Sequence, residues 1–146
     1  MKLAVVWLGI GLAWMVSGQP LEISDEARVA ADRWLAALDT RDGRGTWEMA
    51  GREFQEAIAV EAWEKVVAEL PAEERQFGGR RLIAAHFTRE LPGGVRGQFV
   101  IFQFRRGREA GWEETLIVSL QIDGQWRVAA YQVGERQESG DREIGR

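Results

Sequence analysis

Cysteine is absent from all 146 residues, which excludes disulfides, thiolate metal sites, cysteine nucleophiles and a lipid-modified cysteine behind a leader. Histidine is nearly absent. The single one, His86, sits between Ala85 and Phe87, which offer it no partner for a metal site or a histidine-based catalyst, so a structural or surface role is expected. Lysine occurs only as Lys2 and Lys65, so almost all the positive charge is arginine. Nineteen basic residues face 23 acidic ones for a net charge of -4, and the signs are interspersed along the chain. No basic stripe exists to follow a phosphate backbone, so nucleic acid is not an expected partner. The chain also lacks a Ser-x-x-Lys pair, a nucleophile elbow, a phosphate-cradling glycine loop and any metal-ligand spacing. Gly93-Gly94-x-x-Gly97 precedes a strand pattern and no helix, which is the wrong order of elements for a dinucleotide site. No cofactor and no metal are expected.

What is present begins with an address. Met1 and Lys2 give a short positive start, residues 3–16 form an uninterrupted run of apolar and glycine residues, and Val16-Ser17-Gly18 supplies small residues before Gln19. This is a signal peptide in outline, too short for the roughly 18–20 residues that cross a bilayer as a helix. Cleavage after Gly18 is expected, with contact to the membrane only during export and a mature form in the periplasm or outside. Removing residues 1–18 takes away only Lys2 among the charged groups, which leaves a net charge of -5. Residues 19–134 have the length of one ordinary domain. Residues 135–146 are charged, contain glycine and carry one aliphatic side chain, Ile144, so a disordered tail is expected.

Three helices are predicted first. Ser24 stands where a cap belongs, with Asp25 and Glu26 in the first turn, and Ala27, Ala30, Ala31, Trp34 and Leu38 share one face. Residues 39–45 form a turn by their aspartates and glycines. Thr46 then reads as the N-cap of a second helix striped by Trp47, Ala50, Phe54 and Ile58. A third, over 60–70, carries Trp63, Val66, Val67 and Leu70 and stops at Pro71.

After Phe77-Gly78-Gly79 the period shifts toward alternation, and four strands are predicted over 80–88, 98–105, 113–121 and 125–133. Helices before strands argue for an α+β domain with the helices packed on one face of a four-stranded antiparallel sheet. The last turn sets the register. A two-residue Asp123-Gly124 loop would mix charge into the apolar face. A three-residue loop of Ile122, Asp123 and a left-handed Gly124 pairs Leu120 with Trp126, Val118 with Val128 and Leu116 with Ala130. The opposite face then carries Ile117, Ser119, Arg127, Ala129 and Tyr131, which suits a self-association surface.

Candidate site residues follow from these placements. Trp34, Trp47 and Trp63 lie on successive helix stripes and Trp126 on the inner sheet face. They either fill a small core or line an aromatic pocket for an apolar or sugar ligand. Arg75, Arg80 and Arg81 surround a glycine bend and offer bidentate bonds to an anion, although glutamates nearby are the commoner partners. Asp39 and Asp42 provide two carboxylates near one helix end, where aspartate ordinarily caps and turns. Glu113-Glu114 alternates faces in a strand, so one turns inward, and an ion pair with an arginine is the expected outcome. The ligand-binding set is therefore Trp34, Trp47, Trp63, Arg81 and Tyr131, with no catalytic residue assigned.

Taken together, Trp34-Leu35, Asp39, Thr46-Trp47, Trp63, Leu91-Pro92-Gly93-Gly94, Gly97, Phe99-Val100, Glu114-Thr115 and the run from Asp123-Gly124-Gln125-Trp126 through Arg127-Val128-Ala129-Ala130-Tyr131 resemble the bacterial domain-of-unknown-function family numbered 4019. The likeness spans residues 27–133. It implies an exported α+β domain and carries no activity, ligand or catalytic residue with it. One departure is Ala130, where the family usually has glycine before the tyrosine. By element order the fold is similar to nuclear-transport-factor-2-like or cystatin-like rolls, which assigns no function. The leading reading is a non-catalytic envelope module that binds an unknown protein or a small ligand. The alternatives are a small roll-fold enzyme with an acid/base pocket formed by Asp39, Tyr131 and Arg81, and a homodimeric structural module.

Overall fold

The computed structural model describes residues 5–6, 23–70, 79–106 and 112–135. Most of the leader 1–18, the bend at Arg75 and the tail from 136 onward lie outside the described residues. The elements run β1 (Val5–Val6), α1 (Asp25–Asp39), α2 (Gly43–Met49), α3 (Arg52–Ala57), α4 (Val60–Glu69), β2 (Arg81–Leu91), β3 (Val95–Arg106), β4 (Trp112–Leu120) and β5 (Trp126–Glu135). Helices precede the four long strands, so the domain is α+β. The sheet is antiparallel in the order β1-β5-β4-β3-β2, a meander to which Val5–Val6 adds a short edge. Glu135 continues β5, so the strand ends one residue beyond the expected domain limit.

α1 starts as its sequence dictates: the Ser24 hydroxyl accepts from the Glu26 N–H at 3.2 Å, and Ala27, Ala31, Trp34, Leu35 and Leu38 face inward. The next helix begins earlier than its sequence suggests. Asp42, not Thr46, is the cap, accepting from the Gly45 N–H at 2.8 Å. Thr46 lies inside α2 and is fully buried.

The apolar stripe from Trp47 to Ile58 is divided between two helices, and this is why four are present where three were expected. Ala50 and Gly51 are extended, and the Gly51 N–H leaves the helix to donate to the Val128 carbonyl of β5 at 2.8 Å. A Cβ on Gly51 would lie 2.8 Å from Gln121 Nε2 and 3.3 Å from Arg127 Cβ, so any larger residue would have to displace the Gln121 amide and crowd Arg127. At the end of α4, Leu70 is extended, as a residue before proline prefers to be.

The β4–β5 turn has the anticipated three-residue form. Gly124 has φ +80°, the Gly124 N–H donates to Gln121 O at 2.9 Å, and Leu120 pairs with Trp126 and Val118 with Val128. The register then departs from expectation. A bulge between Ile117 and Val118 and their β5 partners pairs Ile117 with Ala130 and Leu116 with Tyr131, in place of Leu116 with Ala130. One extra residue in β5 turns Tyr131 to the inner face, where it is 1% exposed. The outward Tyr131 of the simple hairpin is thereby corrected.

The main core lies between the helices and that inner face. It joins Trp34, Leu35, Phe54, Trp63 and Val67 to Phe102, Phe104, Leu116, Val118, Val128, Tyr131 and Val133. The opposite face holds a second buried cluster of Leu91, Phe99, Ile101, Ile117, Ala129 and Ala130, whose members among the described residues all lie on strands.

Candidate functional site

Three of the predicted ligand-binding residues meet in one place. Trp34 lies 5.8 Å from Trp63 and 5.2 Å from Tyr131 between ring centroids, and Phe54 meets Trp63 edge-on at 4.9 Å and 88°. Each of these rings is at most 1% exposed. Such offset and edge-on contacts strengthen packing beyond area alone. Their polar atoms are also used. Trp34 Nε1 donates to the Thr46 carbonyl at 2.9 Å and Trp63 Nε1 to the Thr46 hydroxyl at 2.8 Å, while that hydroxyl donates toward the Asp42 and Gly43 carbonyls, both at 2.8 Å. Trp47 stands apart, half-buried, with its N–H on the Ile58 carbonyl at 2.9 Å. Arg81 is exposed at the start of β2, beside Arg105 in the ladder.

Beneath the rings lies a buried ionic cluster. Alternation in β4 turns Glu113 outward to Arg105 and Glu114 inward, where its side chain is 0% exposed. Arg80 reaches Glu114 at 2.7 and 3.1 Å and Asp39 at 3.1 and 3.0 Å. Arg106 reaches Asp39 at 2.7 Å and lies 3.2 Å from Glu114. Tyr131 donates to Glu114 at 2.5 Å. Burial acts to lower the Arg80 pKa, but the bonds to Glu114 and Asp39 outweigh it and raise it above the ordinary value. The cluster ties the C-terminal end of α1 to β3, β4 and β5.

Asp39 and Tyr131, two of the three residues of the enzymatic alternative, are therefore joined through Glu114 and two arginines. These arginines are Arg80 and Arg106 in place of Arg81. Asp39 and Asp42 do not act as a carboxylate pair, since one serves the arginines and the other caps α2. Among the described residues no group of three or more histidines and carboxylates could hold a metal ion. No described helix is long and apolar enough to cross a membrane.

An open groove of about 870 Å³ lies outside this filled interior, between the first half of α1 and the β4–β5 turn. Val29, Ala30, Met49, Trp126 and Val128 give it an apolar lining, with Val29 56% exposed. Asp25 and Glu26 add negative charge, and Arg33 and Arg127 positive charge. Arg127 is steadied by Asp123 at 2.7 and 3.0 Å. Trp34 completes the lining, and only Trp34 and Trp126 of these residues were named as pocket candidates from the sequence, because the groove joins residues about a hundred positions apart.

A third polar cluster had no sequence signal at all. Glu53 of α3 accepts from the Ser119 hydroxyl and from Gln121 Nε2 at 3.2 Å, which fixes α3 against the end of β4. Its members are separated by 66 and 68 positions, so no local spacing could reveal them.

The molecule is thus an α+β domain with a sealed helix–sheet interface and an amphipathic groove at one end. The model of a protein family of unknown function, DUF4019, matches residues 30–131, and the chain belongs to that family. No curated protein and no solved structure matches it.

Proposed function

We propose that the chain is an exported, non-catalytic binding module whose recognition surface is the groove between α1 and the β4–β5 turn. The observation that carries this reading is the contrast between two spaces. Between helices and sheet, where a roll-shaped enzyme would keep its substrate, Trp34, Phe54, Trp63 and Tyr131 occupy the volume, and Asp39, Glu114 and Tyr131 are bonded within the cluster. The groove is open, of the size of a small-ligand site, and lined by apolar groups flanked by charges of both signs. That chemistry suits an amphipathic ligand or a partner's apolar side chain framed by charges. The leader pattern of residues 1–18 supports a periplasmic or secreted setting.

The test has two arms. N-terminal sequencing of the processed protein is expected to start at Gln19, and retention of Met1 overturns the export reading. Capture from envelope extracts compares the native protein with Val29→Glu and Trp126→Ala variants that keep the native circular dichroism. A ligand or protein enriched by the native chain and lost by both variants supports the groove. An identical captured set for all three rejects it.

A further inference from the structure

The flank of α1 that lines the groove carries an ordered pattern. Ala27, Ala31, Trp34, Leu35 and Leu38 take the inward side of the helix. The groove flank reads Glu26, then Val29 with Ala30, then Arg33, each step three or four residues and so about one turn. Glu26, Val29 and Arg33 are exposed and Ala30 is half-buried. An acid, an apolar pair and a base thus lie in line, with about 10 Å of helix between the two charges. The charges of the other flank are already engaged: Arg28 bonds Asp32 at 3.0 Å and lies over the Phe102 and Phe104 rings at 6.0 and 5.8 Å.

This pattern is its own complement when reversed. Two such helices running antiparallel about a two-fold axis between residues 29 and 30 set Glu26 against the partner's Arg33 and Arg33 against the partner's Glu26, with Val29 against the partner's Ala30. A parallel pairing would set acid on acid and base on base. The small Ala30 side chain lets the axes approach to the roughly 8–10 Å of packed helices. Beside α1, Met49 and Trp126 offer the incoming helix an apolar wall, and Ile122, in the turn that forms the far side, is fully exposed and extends that surface.

We propose that the occupant of the groove is α1 of a second copy of this chain, in a two-fold dimer with Glu26 and Arg33 as reciprocal ion pairs around a Val29–Ala30 centre. The proposal rests on the reading of the groove as the recognition surface and names its partner. Burial of Val29 and Trp126 supplies the driving force. The exposed ion pairs add little to it and instead fix the direction of the partner helix.

Sedimentation of the full chain over a concentration series reads the association, with circular dichroism to show that each variant is folded. The native chain is expected to approach twice the monomer mass. Glu26→Arg alone and Arg33→Glu alone each turn two attractions into two repulsions, and each is expected to raise the dimer dissociation constant about tenfold or more. The double variant exchanges the ends of the pattern and is expected to regain the native constant. It carries the same unfavourable base in the first turn of α1 as Glu26→Arg, so its recovery does not come from helix stability. In an equimolar mixture of the two single variants, one has bases at both ends of the stripe and the other acids, so native mass spectrometry is expected to show the mixed dimer in excess of either self-pair. A chain that stays monomeric, association indifferent to both reversals, a double variant as weak as the single ones, or a mixture that pairs only statistically overturns the inference. The groove reading is judged separately. A monomer that captures a ligand or another protein through Val29 and Trp126 removes the second copy and leaves the groove standing. If the reversals act as expected and nothing else is captured, the second copy stands and an external ligand is removed.

Discussion

Replacing Glu114 by alanine is the sharpest test of how this domain is held together. Its carboxylate is fully buried and accepts from Arg80 at 2.7 and 3.1 Å and from Tyr131 at 2.5 Å, with Arg106 at 3.2 Å. In Glu114→Ala the two guanidiniums, 12% and 8% exposed, stay in place and share Asp39. Removing one partner of a buried ion pair costs about 3–5 kcal/mol, most of it the penalty for the charge left behind. Asp39 is 40% exposed, so water reaches it and the lower end of that range is expected. About 3 kcal/mol lowers Tm by roughly 12 °C for a domain of this size. Urea unfolding of the 19–146 chain, followed by tryptophan fluorescence, reads the loss. A second variant separates the ionic term from simple cavity formation. Tyr131→Phe removes a hydrogen bond to a charged acceptor, about 1.5–3 kcal/mol, and in the Glu114→Ala background most of that cost should vanish, because the acceptor is gone. A loss below about 1 kcal/mol for Glu114→Ala, or a Tyr131→Phe cost unchanged between backgrounds, refutes the cluster as a cooperative unit.

Two further outcomes are expected. Thr46→Val keeps the side-chain shape but leaves Trp63 Nε1 without its acceptor, so stability should fall by about 1–3 kcal/mol; a neutral result in chemical denaturation would show that Trp63 finds another partner. Burial lowers the His86 pKa below its ordinary 6.5, so the unfolded chain takes up a proton before the folded one does, and this contribution to stability is lost as pH falls below about 6.5. Because His86 is the only histidine, its ring resonance in an NMR titration is unambiguous, and a midpoint at or above 6.5 contradicts its burial.

Local signals recovered much of the fold because they arise from chemistry within a few residues. The Ser24 cap, the Gly124 turn and the alternation that sends Glu114 inward are all of this kind. What local reasoning missed has a common cause. α2 and α3 separate because Gly51 binds a strand 77 positions away, and no feature of 43–57 alone announces that partner. The bulge that turns Tyr131 inward is likewise invisible in an alternating pattern, since Ala129 and Ala130 are small enough to occupy either face. The inward turn moved Tyr131 from a surface to the ionic cluster, where Arg80 and Arg106, and not the candidate Arg81, bind Asp39.

By itself the sequence determined the class of the domain and the chemistry it lacks. Helical spacing before Phe77 and alternation after it dictate helices packed on an antiparallel sheet, and the absence of cysteine together with a lone histidine removes whole categories of site. The tertiary structure alone decided what the aromatic residues do. Trp34 and Trp63 could equally have lined a pocket or filled a core, because both uses place them on the same helix stripes, and Tyr131 joined them only through the β5 bulge. Their mutual contacts, and the bonds of both indole N–H groups to Thr46, close the interior. The groove between α1 and the β4–β5 turn, and the outer sheet face, likewise depend on residues far apart in the chain coming together.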